Sequence, residues 1–242
     1  MANATVNNKR FAAFDIDGTI FRWQLYHELF DAFINEGIIS TDRAAPVVKA
    51  RDTWRERKGE YLVYEHELIH AMQEAIVGID EVRFNRISDE ILKSKGHQTY
   101  RYTLDLLKTL KAQGYTIIAI SGSHQQLVDR FATLHGITIS VGRKHTIKNG
   151  KLTSIATEIF GHKDKILNEI VQEYELDWKG SYAVGDSGSD TAMLKLVDNP
   201  IAFNPDKTLQ AEAMERGWPI VIERKSIAYR LERGPNGSYV LA

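Results

Sequence analysis

Three short apolar segments, each followed by a cluster of Asp, Ser and Gly, constrain the fold of this chain more than any other feature. They are residues 11–14, followed by Asp15-Ile16-Asp17-Gly18-Thr19; residues 115–120, followed by Ser121-Gly122-Ser123; and residues 181–184, followed by Gly185-Asp186-Ser187-Gly188-Ser189-Asp190. Short apolar runs that end in polar turns are typical of buried strands in a parallel sheet that is covered on both faces.

Amphipathic helical patterns lie between these segments, at residues 100–113, 125–135 and 163–175. The alternation of strands and helices predicts an α/β fold with a doubly wound, mainly parallel sheet. In such a sheet the loops at the carboxyl ends of the strands converge at one edge. We therefore expect the three polar clusters to meet at one site, although they are far apart in the sequence.

Residues 21–96 differ from the rest of the chain because no strand-like run interrupts them. Their helical patterns cover residues 23–35, 43–58, 61–77 and 80–95, and Ser40, Thr41 or Asp42 is suited to cap the second helix. The sequence thus predicts an α/β core formed by residues 1–20 and 97–242, with an all-helical cap inserted at residues 21–96.

The second half of the chain contains further strand signals. Asn149-Gly150 lies among β-branched residues and predicts a hairpin turn within residues 137–159. Residues 200–203 and 218–222 are predicted to form short strands, and residues 234–242 a loose tail or an edge segment.

Composition narrows the possible function classes. The chain has 242 residues and no cysteine, which excludes disulfides, thiolate catalysis and cysteine-ligated zinc. The formal net charge of −1 gives no electrostatic footprint for nucleic acid. Residues 1–10 are polar and lack the apolar core of a signal peptide, and no apolar run is long enough to span a membrane. We expect a cytoplasmic protein without nucleic-acid or membrane partners, whose oligomeric state the sequence leaves open.

Asp15 and Asp17 lie two residues apart at the end of the first predicted strand. One carboxylate there can attack phosphorus and form an aspartyl-phosphate, while the other protonates the departing alcohol and then deprotonates water. An Asp with an ordinary pKa of ~3.9 needs desolvation or a neighbouring carboxylate to act as an acid near neutral pH. The alternatives are an Asx-turn that closes the strand and a calcium loop. The calcium loop is disfavoured because Phe21, Trp23 and Leu25 stand at the later ligand positions.

The second polar cluster and a predicted helix start supply groups that bind anions. Ser121 and Gly122 offer a hydroxyl and an open backbone N–H to phosphate oxygens, although such pairs also form ordinary turns. Lys163 begins a predicted helix, where it can pair with a phosphate and with a carboxylate, and Lys165 is the competing candidate.

The third polar cluster supplies a second pair of carboxylates. Hard oxygen ligands suit Mg²⁺, which keeps several waters and takes one or two carboxylates from a protein. Asp186 is therefore a candidate metal ligand. Asp190, four residues later, is better suited to orient metal-bound water or Lys163.

In combination and in this order, the motifs resemble those of the haloacid dehalogenase superfamily, in its phosphatase branch with a helical cap of the C1 type. The motifs that carry the resemblance are Asp15-Ile16-Asp17-Gly18-Thr19, Ser121-Gly122, Lys163 and Gly185-Asp186-Ser187-Gly188-Ser189-Asp190. The chain is most similar to phosphoserine phosphatases of subfamily IB, over essentially its whole length. The resemblance implies Mg²⁺-dependent hydrolysis of a small phosphomonoester through an aspartyl-phosphate.

The same resemblance implies a role for each motif residue. Asp15 is the nucleophile, Asp17 is the acid/base, and Lys163 completes the catalytic set. Mg²⁺ is bound by the Asp15 side chain, the Asp17 backbone carbonyl and the Asp186 side chain, with Asp190 outside the ligand set. The residues expected to hold the phosphate are Asp15, Thr19, Ser121, Gly122 and Lys163.

The sequence departs from the phosphoserine phosphatase pattern where that family binds the substrate. The family places a Glu nine residues after the nucleophile, and this chain has Gln24 there. If Tyr64 matches the family's cap Phe, the position of the cap Arg is Ala71, next to His70. The metal loop has Gly188-Ser189 where a Gly or Ala followed by Asn is usual. The candidate substrate contacts in the cap are Gln24, Arg55, Tyr64 and His70.

These residues define the reaction better than the substrate. The alternatives to a phosphoserine phosphatase-like activity are a phosphatase for another phosphorylated alcohol, such as an amine, sugar or lipid headgroup, and a phosphotransferase or phosphomutase. A remote alternative is a non-enzymatic phospho-accepting signalling module, in which the accepting Asp usually follows a later strand and no helical cap of this length occurs. A dehalogenase is disfavoured because Asp17 is retained.

Overall fold

An eight-stranded, mainly parallel sheet lies at the centre of the fold. The structure is a computed structural model that describes residues 9–242, and the prediction for residues 1–8 lies outside the described residues. The strands are β1 (Arg10–Phe14), β2 (Thr116–His124), β3 (Ile139–Arg143), β4 (His145–Lys148), β5 (Lys151–Ala156), β6 (Asp177–Gly185), β7 (Asn199–Phe203), β8 (Ile220–Arg224), β9 (Ile227–Arg233) and β10 (Tyr239–Leu241). The helices are α1 (Leu25–Asn35), α2 (Thr41–Arg55), α3 (Tyr61–Ala75), α4 (Glu81–Lys95), α5 (Arg101–Ala112), α6 (Gln125–His135), α7 (Lys163–Glu173), α8 (Thr191–Leu194) and α9 (Lys207–Arg216).

The strand order explains how distant motifs come together. The sheet runs β10-β9-β8-β7-β6-β1-β2-β3, so β1 lies between β6 and β2. These three strands are parallel, and their registers pair Phe14 with both Ala119 and Val184. Their carboxyl ends, which precede or contain the three polar clusters, therefore lie side by side.

Both faces of the sheet are covered by helices, as expected for a doubly wound fold. Alternate residues of a strand point to opposite faces. In β1, Ala12 and Phe14 join an apolar cluster with α5 and α6, while Phe11 and Ala13 join a second cluster with α7, α8 and α9. All four side chains are fully buried. The near-continuous apolar sequence of β1 follows from this burial on both faces.

Helices α1 to α4 follow β1 and confirm the helical character predicted for this segment. The side chain of Ser40 caps α2 by accepting a hydrogen bond from the Arg43 N–H. Phe30 and Phe84 from these helices are fully buried in the apolar cluster that also holds Phe14. The division of the chain into a core and a cap stays a prediction. None of the helices within residues 9–242 has both the length and the apolar character needed to cross a membrane.

The carboxyl-terminal part contains one strand that the sequence pattern missed. Asn149 and Gly150 have φ angles of 51° and 72°, and they form the predicted turn between β4 and β5. Strand β9 was not predicted because charged residues interrupt its apolar positions. It pairs antiparallel with β8, and β10 pairs with β9 at the edge of the sheet, which confirms an edge segment near the end of the chain.

Candidate active site

Asp15 and Lys163 form a buried ion pair at the carboxyl end of β1. The Lys163 ammonium lies 2.6 Å from Asp15 Oδ1 and 2.6 Å from Asp190 Oδ1. The side chains of Lys163, Asp15 and Asp190 are 5%, 6% and 0% exposed, so solvent screens these contacts little. The competing candidate Lys165 is exposed on α7. The first residue of α7 is thus the lysine that the fold brings to the acidic cluster.

Asp190 is held in place through both of its carboxylate oxygens. Its Oδ2 accepts hydrogen bonds from the N–H groups of Asp186 and Ser187 at 3.1 and 3.0 Å, and from the Ser187 hydroxyl at 3.2 Å. Gly185 allows this approach, because a Cβ atom there would lie 2.4 Å from the Asp190 Cβ. Asp190 therefore fixes the loop after β6 and orients Lys163.

Asp17 accepts hydrogen bonds from two different parts of the chain. Its Oδ2 accepts from the hydroxyls of Ser121 at 2.6 Å and Ser123 at 2.8 Å, both in β2. Its Oδ1 accepts from the N–H of Leu25 at 2.6 Å, at the start of α1. The Asp17 carboxyl thus connects the sheet edge to the first inserted helix.

Gly18 brings the first and third polar clusters into contact. It has a φ of +81°, which is unfavourable for other residues, and a Cβ atom there would lie 2.2 Å from Asp186 Oδ2. Thr19, which the sequence assigns to phosphate binding, is fully buried, and its hydroxyl donates to Asp186 Oδ1 at 3.1 Å. In this arrangement Thr19 orients Asp186.

Burial shifts the pKa values of the acidic groups upward. It raises the pKa of Asp15 to about 7, although the Lys163 charge opposes the shift and the charges of Asp190 and Asp17 add to it. Burial, followed by the charges of Asp15 and Asp190, raises the pKa of Asp186 well above its ordinary value. Burial also raises the pKa of Asp17, and the Ser121 hydroxyl is the largest opposing influence. For Lys163, burial disfavours the charged form, but Asp15 and Asp190 outweigh it and raise the pKa.

The acidic cluster fits a divalent cation. Carboxylate oxygens of Asp15, Asp186 and Asp190 lie within 4.8 Å of one another. Burial is the main cause of the raised pKa values of Asp15 and Asp186, and the neighbouring carboxylate charges add to it; a bound cation would offset both effects. A donor set made only of oxygens suits a hard cation. Because both oxygens of Asp190 are already hydrogen-bonded, Asp15 and Asp186 are the carboxylates better placed to ligate.

Of the four candidate substrate residues, Gln24 lies next to the residue whose N–H binds Asp17, and Arg55 lies near His27 of α1. Gln24 directly precedes Leu25, and its side chain is hydrogen-bonded to Tyr61. Arg55 contributes positive charge near His27. The other two lie elsewhere: Tyr64 is fully buried inside the helical insertion, and His70 has a 69% exposed side chain on α3 that faces Glu74 at 3.9 Å.

Sequence reasoning did not assign a role to Ser123. Its hydroxyl donates to Asp17, and its own N–H donates to Ser121 Oγ at 2.9 Å. The signal was present in the sequence, since Ser121 and Ser123 are separated by one residue in an extended strand and so point to the same side. The pair of serines is therefore a second contact between β2 and the first motif.

Comparison with known proteins supplies the family. The sequence model of the haloacid dehalogenase-like hydrolases matches residues 12–195. This range includes every residue of the candidate active site. The chain belongs to this family. The expectation drawn from the four motifs is thereby confirmed at the level of the family.

The curated relatives of this haloacid dehalogenase-like hydrolase share about a quarter of its sequence. It is 28% identical over 128 residues to a probable phosphatase of Mycobacterium tuberculosis, an alignment of 52% of this chain and 45% of that protein. It is 25% identical to a phosphoserine phosphatase of Archaeoglobus fulgidus, over 84% of this chain and 54% of that protein. It is 24% identical to a histidinol-phosphatase of Neisseria meningitidis, over 88% of this chain and 98% of that protein. The chain thus spans about half the length of the first two relatives.

Solved structures show that the fold is shared. A protein of unknown function from Bordetella pertussis superposes with a TM-score of 0.73 at 18% identity, covering 89% of this chain and 99% of that one. A phosphoserine phosphatase determined as a phospho-aspartyl intermediate analogue gives a TM-score of 0.60 at 20% identity, covering 90% of this chain and 95% of that one. At these identities the likeness concerns the fold of the hydrolase.

Proposed function

We propose that this hydrolase is a phosphatase that cleaves small phosphomonoesters through a covalent intermediate on Asp15. The observation that carries the proposal is the pair of carboxyls at the end of β1, of which Asp15 is buried and Asp17 half-buried. Asp15 lies against Lys163 at 2.6 Å, and Asp17 lies against two serine hydroxyls. A nucleophile and an acid/base on one turn, beside a fixed cation, are the groups that phosphoryl transfer through an enzyme carboxylate requires.

Asp15 acts as the nucleophile in this proposal. One of its carboxylate oxygens attacks phosphorus, the bond from phosphorus to the ester oxygen breaks, and the alcohol departs. Lys163 favours the ionised form of Asp15 and offsets part of the negative charge of the phosphoryl group. Because Lys163 is also bound to Asp190, it stays in position while Asp15 is esterified.

Asp17 acts as the acid/base. It donates a proton to the departing ester oxygen and then accepts a proton from the water that attacks the aspartyl-phosphate, which releases orthophosphate and restores Asp15. The raised pKa that burial gives Asp17 favours the protonated form needed for the first step. The hydroxyls of Ser121 and Ser123 and the N–H of Leu25 hold the carboxyl in one orientation.

The remaining motif residues bind the phosphate and the metal. Gly122 is exposed, and a Cβ atom there would meet no atom within 4 Å, so its backbone borders open space that a phosphate can enter. Lys163 is a further phosphate contact, and the Ser121 hydroxyl joins it when its proton turns from Asp17 to a phosphate oxygen. The ion that best suits the oxygen-only donor set is Mg²⁺, which would be held by the side chains of Asp15 and Asp186 and the backbone carbonyl of Asp17. When bound, it supplies positive charge that draws electrons from the phosphoryl group.

The substrate is proposed from the relatives and from Gln24. Phosphoserine and histidinol phosphate are the first two candidates, because relatives named for these activities align with more than four-fifths of this chain. Gln24 supplies no negative charge where phosphoserine phosphatases have a Glu, which makes a different phosphorylated alcohol the main alternative. Phosphotransfer to a sugar hydroxyl would use the same residues. A cytoplasmic location stays a prediction from the sequence.

The experiment compares two leaving groups in two variants. The wild-type protein should hydrolyse p-nitrophenyl phosphate with Mg²⁺ and lose turnover with EDTA, and Asp15→Asn should be inactive on every ester. Asp17→Asn should slow the hydrolysis of alkyl phosphates by about 10²- to 10⁴-fold, and that of p-nitrophenyl phosphate much less, because p-nitrophenolate leaves without a proton. Asp105→Asn, on the exposed surface of α5, is the control for losses of activity caused by substitution and purification alone. Equal losses on both esters in Asp17→Asn would contradict the role of Asp17.

A further inference from the structure

The loop after β6, which carries the candidate metal ligand Asp186, is held from two sides. On one side, Asp190 Oδ2 accepts hydrogen bonds from the N–H groups of Asp186 and Ser187. On the other side, Asp206 makes two contacts: its N–H donates to the Asp186 carbonyl at 2.8 Å, and its Oδ2 accepts from the Gly188 N–H at 3.0 Å. Together the two aspartates bind three consecutive N–H groups of the loop and the carbonyl of the ligand residue.

The two supports differ in what else they contact. Asp190 is also bound to Lys163, which in turn is bound to Asp15, so its position is coupled to the nucleophile. Asp206 lies on the exposed surface and outside residues 12–195, the range that the family model matches. It therefore supports the metal loop from a part of the chain that the family's shared motifs do not include.

Asp206 is itself fixed by its position at the start of α9. It is the N-cap residue of this helix, and its Oδ1 accepts a hydrogen bond from the Leu209 N–H at 2.7 Å. Leu209 is fully buried, which anchors the first turn of α9 in the apolar core. Because one carboxylate oxygen caps the helix and the other binds the loop, the carboxyl group links α9 to the metal loop in one orientation.

The start of α9 also packs directly against the loop. A Cβ atom at Gly188 would lie 2.8 Å from Thr208 Cγ2, so the loop approaches the helix as closely as a glycine allows. The turn before α9 is anchored to β8, since the Asn204 N–H donates to the Val221 carbonyl at 2.7 Å and Asn204 Oδ1 accepts from the Glu223 N–H at 2.8 Å. The support for the metal loop thus extends to a strand of the central sheet.

We propose that Asp206 is a positioning residue for the metal site, which orients Asp186 by binding the two peptide groups that flank Ser187. The inference rests on the proposed phosphatase function and adds a residue to its metal site. Asp206 touches neither the substrate nor the reacting atoms and acts through Asp186. Because the Thr19 hydroxyl also binds Asp186, loss of the Asp206 carboxylate loosens the ligand without removing it. Metal affinity should therefore fall, while turnover at saturating metal is retained.

The first arm of the test measures Mg²⁺ binding to metal-free protein by isothermal titration calorimetry. Asp206→Ser keeps the cap of α9, because serine is as good an N-cap as aspartate, but its single short arm does not reach Gly188 as well. The Kd for Mg²⁺ should rise by about tenfold, the lower end of the range for losing a group that orients a metal ligand. A Kd within about twofold of the wild type would overturn the proposal.

Asp80 supplies the matched control, because it is also an N-cap aspartate. It caps α4 by accepting hydrogen bonds from the N–H groups of Val82 and Arg83 at 3.0 and 3.3 Å. Asp206→Ala and Asp80→Ala each remove a helix cap, so both should lower the midpoint of urea unfolding by a similar amount. Only Asp206→Ala should weaken Mg²⁺ binding. Equal weakening in the two variants would show an effect of lost stability and overturn the proposal.

A second pair of variants reaches the same contact from the loop. Gly188→Ala places a Cβ atom against the Thr208 methyl group, which separates the loop from α9, and it should weaken Mg²⁺ binding as Asp206→Ser does. Adding Thr208→Ala removes that methyl group and should restore most of the lost affinity. Wild-type Mg²⁺ binding in Gly188→Ala would show that the contact with α9 does not position the ligand.

The second arm titrates Mg²⁺ in an assay with p-nitrophenyl phosphate. In Asp206→Ser the Mg²⁺ concentration for half-maximal activity should rise by about tenfold, whereas kcat at saturating Mg²⁺ should stay within about twofold of the wild type. A lower kcat at saturation with an unchanged Mg²⁺ requirement would overturn the positioning role. If the wild-type protein bound Mg²⁺ but cleaved no phosphomonoester, the proposed function would fail instead, and calorimetry would still decide the role of Asp206.

Discussion

Replacing Lys163 with Met should destabilise the protein in a way that depends on pH. The ammonium is paired with Asp15 and Asp190 at 2.6 Å each, and all three side chains are at most 6% exposed. Removing one partner of a buried ion pair leaves the other charge uncompensated and costs about 3–5 kcal/mol. Met has a similar length and no charge, so the loss of packing contributes little. We expect a loss of at least about 3 kcal/mol in the free energy of unfolding at pH 8 without metal.

The penalty should shrink as the pH falls. Burial raises the pKa of Asp15 from its ordinary value of 3.8 to about 7 in the folded protein, so the folded state binds more protons than the unfolded state between these values. Without Lys163 this pKa rises further, and the variant loses additional stability as the pH rises through 7. Protonated Asp15 needs no partner, so the penalty at pH 6 should be about 1–2 kcal/mol smaller than at pH 8, at about 1.4 kcal/mol per unit of pKa.

Urea unfolding followed by circular dichroism, in EDTA at pH 6 and pH 8, measures the stability penalty of Lys163→Met at each pH. Lys165→Met is the matched control, because this lysine lies two residues along the same helix and is exposed. Its unfolding free energy should stay within about 0.5 kcal/mol of the wild type. A Lys163→Met penalty below about 1 kcal/mol at pH 8, or one that grows as the pH falls, would refute the reasoning.

Three further perturbations test other parts of the site. Gly18→Ala places a Cβ atom 2.2 Å from Asp186 Oδ2 and should abolish metal-dependent turnover, as isothermal titration with Mg²⁺ and an ester assay would show. Ser123→Ala removes one of the two hydroxyls that donate to Asp17 and should lower kcat/KM by about tenfold, as expected for a hydrogen bond to a charged group. Burial, followed by the charges of His145 and Arg143, lowers the pKa of His124 well below its ordinary value. The unfolded state therefore binds more protons below pH ~6.5, stability falls with falling pH, and His124→Phe should flatten this loss between pH 6.5 and pH 5 in urea titrations.

Controls separate these effects from general disruption. Gly78→Ala has the same kind of backbone strain, with a φ of +83°, but its Cβ atom would meet nothing within 4 Å. It should lose about 1 kcal/mol of stability and keep metal binding, so equal metal binding in Gly18→Ala and Gly78→Ala would contradict the steric argument. Full activity in Ser123→Ala would show that the hydrogen bond from Ser123 to Asp17 does not contribute to catalysis. If the unfolding free energy of His124→Phe falls between pH 6.5 and pH 5 as steeply as that of the wild type, His124 does not cause the loss of stability in acid.

The sequence predicted the sheet edge and the order of the motifs because both depend on local patterns. Apolar runs over residues 11–14, 115–120 and 181–184 had no amphipathic alternation, which is what burial on both faces of a parallel sheet produces. The turn residues after each run then had to meet at one edge. The inserted helices were predicted for the same reason, since their apolar residues recur with helical period.

Other features could not be predicted because they depend on contacts between distant segments. Strand β9 is the exception, because it forms a hairpin with the adjacent β8 and was missed since charged residues interrupt its apolar positions. The phosphate contact of Thr19 stays a prediction, whereas the bond from its hydroxyl to Asp186 depends on the pairing of β1 with β6. The contact of the Tyr64 hydroxyl with His27 Nδ1 depends on how α1 and α3 pack, which the helical spacing of these residues does not indicate.

Trapping the covalent intermediate tests the central claim most directly. The protein is mixed with a rapidly cleaved phosphomonoester and Mg²⁺, quenched in acid within milliseconds and treated with borohydride, which reduces an aspartyl-phosphate to homoserine. Peptide mass spectrometry then locates the modified residue. The account predicts homoserine at position 15 in the wild type and none in Asp15→Asn. Steady turnover without modification at Asp15, or full activity in Asp15→Asn, would contradict it.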